Sequence, residues 1–317
     1  MTITLTFLIT SSAFLISLIA IWFFKRFASK WAWVDAAGVD PLKIHAAPTP
    51  FVGGFGISFG SLAALLLYAC QQASYLNRVL LIVGLGIGVA LLGWSDDRFT
   101  VKPRVRLMIE LVAGVGLAMG GFAFGLFPKP TMILSNSITY AVAAAFIVFV
   151  VVGAINAVNM QDGMDGLAGG VTLLSCIGFA WVGMYLEMWL VMILACGLGA
   201  ALLAFLFYNF HPASVFMGDN GSYFVGFMVA TLALTVSFAR GEVRSLAGSI
   251  LLIGVPVFDA AFAIARRMRR GVSPFTGDRS HFYDYLAKRG LTTRQVAGVS
   301  YALQTLFVGL GILLIFR

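Results

Sequence analysis

"NAVNMQDGMDGL", residues 156–167, stands between two uncharged runs, "YAVAAAFIVFVVVGAI" (140–155) before it and "VTLLSCIGFAWVGMYL" (171–186) after it. Each flank approaches the roughly 20 apolar residues that a helix needs to cross a bilayer core. Two amides and two carboxylates at the joint between them give the reading of the whole chain. Apolar spans carry the fold, and polar chemistry gathers at their ends.

The composition agrees. The 317 residues are 60% hydrophobic and 11% charged, with a mean hydropathy of +0.96. A soluble domain carries about 25% charged residues, so this chain cannot make a soluble surface. Apolar segments predict ten transmembrane helices, at 3–24, 53–72, 78–94, 107–127, 139–158, 167–185, 189–207, 221–239, 247–265 and 296–316. No strand alternation of the β-barrel kind competes with them. The fold class expected is an all-α polytopic membrane protein, with residues 1–317 forming a single domain. Neither a linker nor an internal repeat is visible. The first run lacks a basic leader, and Lys25, Arg26 and Lys30 follow it, so it reads as a retained span rather than a signal peptide. Cys70, Cys176 and Cys196 all fall in predicted spans, which gives no hint of disulfides.

Basic residues set the expected orientation. One side of the bundle collects 16 of the 21 Lys and Arg residues, in the stretches 25–43, 98–106, 266–279 and 288–294; the other side has 5. The positive-inside bias makes the first side cytoplasmic and both termini periplasmic. The excess of +8 follows from this rule and from affinity for anionic headgroups, so nucleic acid is not expected as a partner. Ten of the 13 acidic residues fall on the same side: Asp35, Asp40, Asp96, Asp97, Asp162, Asp165, Asp219, Asp259, Asp278 and Asp284. Carboxylates contribute little to topology, and at membrane depth they are costly and usually functional.

Four stretches concentrate that chemistry. In "GWSDDRFTVKPRVRL" (93–107), Asp96 and Asp97 are adjacent and four basic residues follow, Arg104 and Arg106 among them. Paired carboxylates repel, and a divalent cation relieves the repulsion. Oxygen ligands beside phosphate point to Mg²⁺, with Mn²⁺ as the alternative. The plainer reading is an interfacial loop with solvated charges. In the opening stretch Asn156, Asn159, Asp162 and Asp165 recur every third residue; if the span stays helical, they share one face. In "YNFHPASVFMGDNGS" (208–222), Asn209 and His211 precede a proline and Asp219 opens the eighth span. There a carboxylate can cap a helix or hold a metal. In "RRMRRGVSPFTGDRSHFYDYLAKRG" (266–290), an arginine cluster precedes Arg279 and His281, a composition suited to phosphates.

Taken together, "DDR", "NAVNMQDGMDGLAGG", "FMGDNGS" and "SPFTGDRSH", with "HAAPTPFVGG" at 45–54, resemble the polyprenyl-phosphate N-acetylhexosamine-1-phosphate transferases. The likeness runs from about residue 43 to 290. It implies a bundle of ten or eleven spans with a cytoplasmic active site in the bacterial inner membrane. It implies Mg²⁺-dependent transfer of a sugar-1-phosphate from a UDP-sugar to undecaprenyl phosphate, releasing UMP and starting a lipid-linked envelope glycan. A homodimer is compatible with the sequence. By position, the resemblance makes Asp96 and Asp97 the aspartate pair, Asp162 and Asp165 the next pair, and His281 the first histidine of the loop motif. Asp97 and Asp219 are the expected metal ligands, and Asp96 is expected to orient or deprotonate the lipid phosphate. Lys43, His45, Arg104, Arg106, Asn156, Asn159, Asn209 and Arg279 are expected to bind substrate.

One departure stands out. Relatives that use UDP-GlcNAc often carry His-x-His-His where this chain has His281-Phe282-Tyr283-Asp284. Tyr283 and Asp284 are therefore expected to read the sugar, with a 6-deoxy-N-acetylhexosamine as an alternative to GlcNAc. The rival readings are a phospho-MurNAc-pentapeptide transferase and, from another class, a secondary transporter. A transporter's relays should sit near mid-membrane, whereas these carboxylates sit at span ends beside arginines.

Overall fold

In lipid, every backbone N–H and C=O must find a partner within the protein, and a helix supplies those partners from its own backbone. The long apolar runs obey this rule. A computed structural model describes residues 3–35, 48–122, 136–240, 242–273 and 281–317. The helices are α1 (Ile3–Phe27), α2 (Gly53–Gln71), α3 (Leu76–Phe99), α4 (Pro103–Leu117), α5 (Asn136–Gln161) and α6 (Leu167–Tyr185), then α7 (Trp189–Asn209), α8 (Gly218–Arg240), α9 (Val243–Leu251), α10 (Gly254–Arg269), α11 (Phe282–Lys288) and α12 (Thr293–Phe316). A two-residue antiparallel pair, β1 (Val34–Asp35) with β2 (Thr49–Pro50), is the only strand pairing among the described residues.

Among the described residues eight helices are long and apolar enough to cross a membrane, or nine if the bent pair α9 and α10 counts as one span. Two of the expected spans differ from their sequence bounds among the described residues. The fourth expected span (107–127) begins earlier, at Pro103, and passes from α4 into a π turn at Ala118–Phe122; its remainder lies outside the described residues. The ninth (247–265) is not one helix, because α9 and α10 meet at 84°. Pro256 sits in the first turn of α10, where its missing N–H costs nothing, whereas in a continuous helix it would remove a bond. The break leaves backbone groups inside the bundle, and the fully buried Gln304 of α12 takes them up. Its Oε1 accepts from Val255 N–H at 2.9 Å, and its Nε2 donates to Leu252 C=O at 2.8 Å and to Ser175 Oγ at 3.1 Å.

α8 is the axis of the bundle, packed against α3, α5, α2 and α9. Its span is 89% buried, against 22% for the peripheral α12. Close approach at one end of α8 positions the site. A Cβ on Gly93 of α3 would meet Asp219 C=O at 2.2 Å, so only glycine lets α3 lie this near the start of α8. The first turn of α2 docks on the same point, with Gly53 N–H and Gly54 N–H donating to the carbonyls of Phe216 and Met217, each at 2.9 Å.

Candidate active site

The ends of α3, α5 and α7 and the starts of α6 and α8 meet at one end of the bundle, and the aspartates come with them. Asp97 lies on the last turn of α3. Its Oδ1 accepts from Asp219 N–H at 2.9 Å and its Oδ2 from Asn220 N–H at 3.0 Å. The first N–H groups of a helix have no partner within it and favour a negative charge. A carboxylate from a different helix here supplies both. Gly218, at φ +73°, makes the turn that permits this, and a Cβ there would meet Asp97 Oδ2 at 2.9 Å. Each Asp97 oxygen keeps a second lone pair. Asp219 projects beside it, with Oδ1 accepting from Asn159 Nδ2 at 2.7 Å; the same amide nitrogen also donates to Ser222 Oγ at 3.0 Å.

Asp162 completes the group. α5 stays helical to Gln161, and Asp162 N–H still reaches back to Val158 C=O at 3.2 Å. Burial, and then the charges of Asp219, Asp97 and Asp165, push the Asp162 carboxyl well above the usual carboxylate range. Among the described residues no three His, Cys, Asp or Glu side chains form a ready-made metal cage. Asp162 lies near enough to Asp97 and Asp219 for their charges to act on it.

The other expected residues divide by their contacts. Asp96 is not an open base. Oδ1 accepts from Val101 N–H at 2.8 Å, and Oδ2 accepts from Arg106 at 3.0 Å and from Tyr223 OH at 2.7 Å. It closes the α3–α4 turn and holds Arg106, whose side chain is still 30% exposed and lies 5.7 Å over the Tyr223 ring. Arg104 is exposed on the first turn of α4. Asn156 bonds a glutamate rather than an aspartate, its Nδ2 donating to the buried Glu110 Oε2 at 2.7 Å and to Val152 C=O at 2.9 Å. Asn209 is structural as well. It is 3% exposed, accepts from Gly166 N–H at 2.9 Å and donates to Val215 C=O at 2.9 Å.

The four-residue polar edge expected at 156–165 therefore does not form. Gly163 and Gly166 follow the end of α5, and the chain turns before Asp165 can share the face of Asn159. Asp165 Oδ2 instead binds His211 Nδ1 at 2.8 Å and accepts from Ala213 N–H at 3.0 Å. Tyr283 and Asp284, expected at the sugar, are buried. Tyr283 OH donates to Met160 C=O at 3.1 Å, and Asp284 accepts from His281 N–H at 3.3 Å in the capping box of α11. Lys43, His45 and Arg279 lie outside the described residues.

Motif reading missed Tyr223 and Ser222, and it counted Asp259 among the carboxylates of this side without giving it a partner. Tyr223 stands four residues after Asp219 on a helix, a spacing that puts both on one face, so a signal existed. Asp259 binds His281 from 22 positions upstream, and nothing local in the sequence links the two.

The sequence matches known proteins over this region. Residues 79–237, the segment that brings α3, α5 and the start of α8 together, match the family model for glycosyl transferase family 4. The chain belongs to that family. A Bacillus subtilis (strain 168) relative is 31% identical over 299 residues, covering 93% of this chain and 82% of its own length. It carries the name "Probable undecaprenyl-phosphate N-acetylglucosaminyl 1-phosphate transferase". The Escherichia coli (strain K12) undecaprenyl-phosphate alpha-N-acetylglucosaminyl 1-phosphate transferase is 29% identical over 323 residues, covering 95% of this chain and 82% of its own length. A Yersinia pestis protein of the same name is 30% identical, covering 89% and 77%. As a glycosyl transferase family 4 member, the chain is a multi-pass helical membrane protein whose matched segment includes Asp96, Asp97, Asn159, Asp162 and Asp219.

Proposed function

We propose that this chain transfers N-acetylhexosamine-1-phosphate, GlcNAc-1-phosphate in the first instance, from a UDP-sugar to undecaprenyl phosphate on the cytoplasmic face of a bacterial inner membrane. UMP is released, and a lipid-linked envelope glycan begins. The observation that carries the reading is the docking of Asp97 on the first turn of α8 beside Asp219, with Arg106 held nearby by Asp96. The names of the relatives support the acceptor and the sugar. Tyr283 and Asp284 are buried, and a 6-deoxy-N-acetylhexosamine is the alternative sugar.

The donor set fits Mg²⁺. It takes oxygen ligands, usually one or two carboxylates completed by substrate phosphate and water, and Asp97 and Asp219 offer two carboxylates side by side. Burial first, and then the neighbouring carboxylates, raise Asp162, and a cation would offset the charge of those neighbours. Asp97 and Asp219 would hold it, and it would supply charge neutralisation on the donor's pyrophosphate.

The chain's own residues do the positioning. A phosphate monoester has a second pKa of about 6, so the lipid phosphate is largely dianionic and needs placing rather than deprotonation. One of its oxygens attacks the sugar-bearing phosphorus of the donor in line. The bond from that phosphorus to the bridging oxygen breaks, and UMP leaves with the electron pair. Arg106, kept extended by Asp96, offers its guanidinium to phosphate oxygens. Asn159 fixes the Asp219 rotamer.

The test is transfer by the purified chain from radiolabelled UDP-GlcNAc to undecaprenyl phosphate. Lipid-linked label and UMP are expected with MgCl₂, none with excess chelator, and a loss of about 100-fold or more in Asp219→Asn. Transfer that persists in chelator, or no transfer to undecaprenyl phosphate under any condition, overturns the reading.

A further inference from the structure

His281 and Asp259 form a pair that the chemistry above does not use. Asp259 sits inside α10 and is 2% exposed. Ionisable groups placed this deep are costly and seldom idle. Its Oδ2 lies 3.1 Å from His281 Nδ1, and its Oδ1 accepts from Phe282 N–H at 2.6 Å. One carboxylate thus grips the first residue of α11 and the imidazole just before it. The ring is fixed on its face too. It stacks on Tyr283 at a centroid distance of 5.2 Å and an angle of 6°. The Tyr283 hydroxyl is anchored to Met160 C=O at the last turn of α5. Gly163 lies directly against that hydroxyl, where a Cβ would stand 2.2 Å away. The imidazole is therefore tied, through Tyr283, to the turn that carries Asn159 and Asp162.

Helix capping alone does not account for Asp259. In the capping box of α11 Asp284 already accepts from His281 N–H at 3.3 Å, and an amide or hydroxyl could accept from Phe282 N–H at a lower desolvation cost. What a carboxylate adds is control of the ring. An ionised carboxylate only accepts hydrogen bonds, so the proton of His281 belongs on Nδ1. The nitrogen left for chemistry is then Nε2.

We propose that Asp259 is the positioning residue of His281. It fixes the ring with Nδ1 protonated, so that Nε2 faces the reaction and meets a phosphate oxygen of donor or acceptor. The same carboxylate offsets the positive charge whenever Nε2 carries a proton. This rests on the transferase reading above, and the test separates the two.

The chain has three histidines, so ¹⁵N-histidine spectra of the full-length protein in nanodiscs can be assigned with three single His→Gln variants. Wild type should show His281 with Nδ1 protonated near neutral pH, and Asp259→Asn should lose that signature. In the transfer assay Asp259→Asn should lower kcat on the order of 10- to 100-fold, the usual cost of removing an orienting partner. KM for the UDP-sugar should stay within about twofold, and Asp259→Glu should recover part of the rate. A retained signature with wild-type kcat overturns the proposal, and so does a loss confined to KM. If Asp259→Asn does not fold, Asp259→Glu is read on the same signals; misfolding of both would make the residue purely structural and overturn the positioning role. Should wild type transfer nothing, the transferase reading fails, while the spectra still judge Asp259.

Discussion

The Asp259–His281 and Asp165–His211 pairs both join an imidazole Nδ1 to a carboxylate Oδ2, at 3.1 and 2.8 Å. The shorter contact belongs to the pair in water. His211 and Asp165 have side chains 44% and 21% exposed, whereas His281 and Asp259 are 7% and 3% exposed. Their surroundings differ in kind. Asp259 grips two consecutive groups of α11 from the interior of α10. Asp165 pins a surface loop, with Ala213 N–H on the same oxygen and Arg294 donating to His211 C=O at 3.0 Å. Distance alone would rank the exposed pair first. Burial decides which one can set a tautomer and which only tethers a loop, because solvent screens exposed charge pairs to little net effect.

The sharpest way to break this comparison is to remove each imidazole. His281→Gln should lower transfer by about 100-fold or more, the usual contribution of a positioned acid–base group, measured as kcat/KM with UDP-GlcNAc. Comparable losses from His211→Gln would show that burial does not separate the pairs.

Stability should divide the same way. Removing one partner of a buried pair leaves an uncompensated group, at a cost of about 3 kcal/mol. Removing one from an exposed pair costs about 1 kcal/mol or less. Thermal unfolding in detergent should therefore fall clearly for His281→Ala and barely for His211→Ala. Equal shifts would place both pairs in the same environment, against their exposures.

Gly163→Ala probes the buried pair from its far side. The new methyl would collide with the Tyr283 hydroxyl at 2.2 Å, and the ring that stacks on His281 must move. A misplacement of about 1 Å near a reacting group can cost up to about 100-fold. A loss of about tenfold in kcat is expected, with the His281 spectrum displaced and the His211 spectrum unchanged. A fully active Gly163→Ala would mean that the stack does not hold the imidazole in place.

Much of this was legible in sequence, and the failures have physical causes. Apolar runs gave the helices because lipid leaves the backbone no alternative. The carboxylates at 96–97, 162 and 219 stood out because charge at span ends is rare in so apolar a chain. Roles were less legible than places. Asp96 and Asp97 are neighbours, yet helical geometry turns one toward Tyr223 and Arg106 and the other onto the start of α8. Asn156 and Asn159, in register on α5, reach Glu110 and Asp219 respectively. Pro256 signalled the break at Leu252–Ile253, but its compensation, Gln304, lies about 50 residues downstream in α12. Periodicity sees a helix's own face and not the partner that satisfies its ends.

The smallest effect expected is that of His211→Gln, and its smallness carries information. The imidazole bridges Asp165 and the loop that follows α7, but that loop has independent anchors. Asn209 ties Val215 C=O to Gly166 N–H, and Ser214 N–H donates to Tyr208 C=O at 2.7 Å. Asp165 also keeps its bond from Ala213 N–H. Glutamine can still donate to Asp165 through its amide, so the tether is weakened rather than cut. Transfer should change by less than about twofold, within the range of a screened surface pair. Raising the salt concentration should shrink even that difference, because the Debye length falls to about 3 Å at 1 M. A loss of tenfold or more that persists at high salt would mean that His211 touches substrate and that the exposed pair belongs to the chemistry.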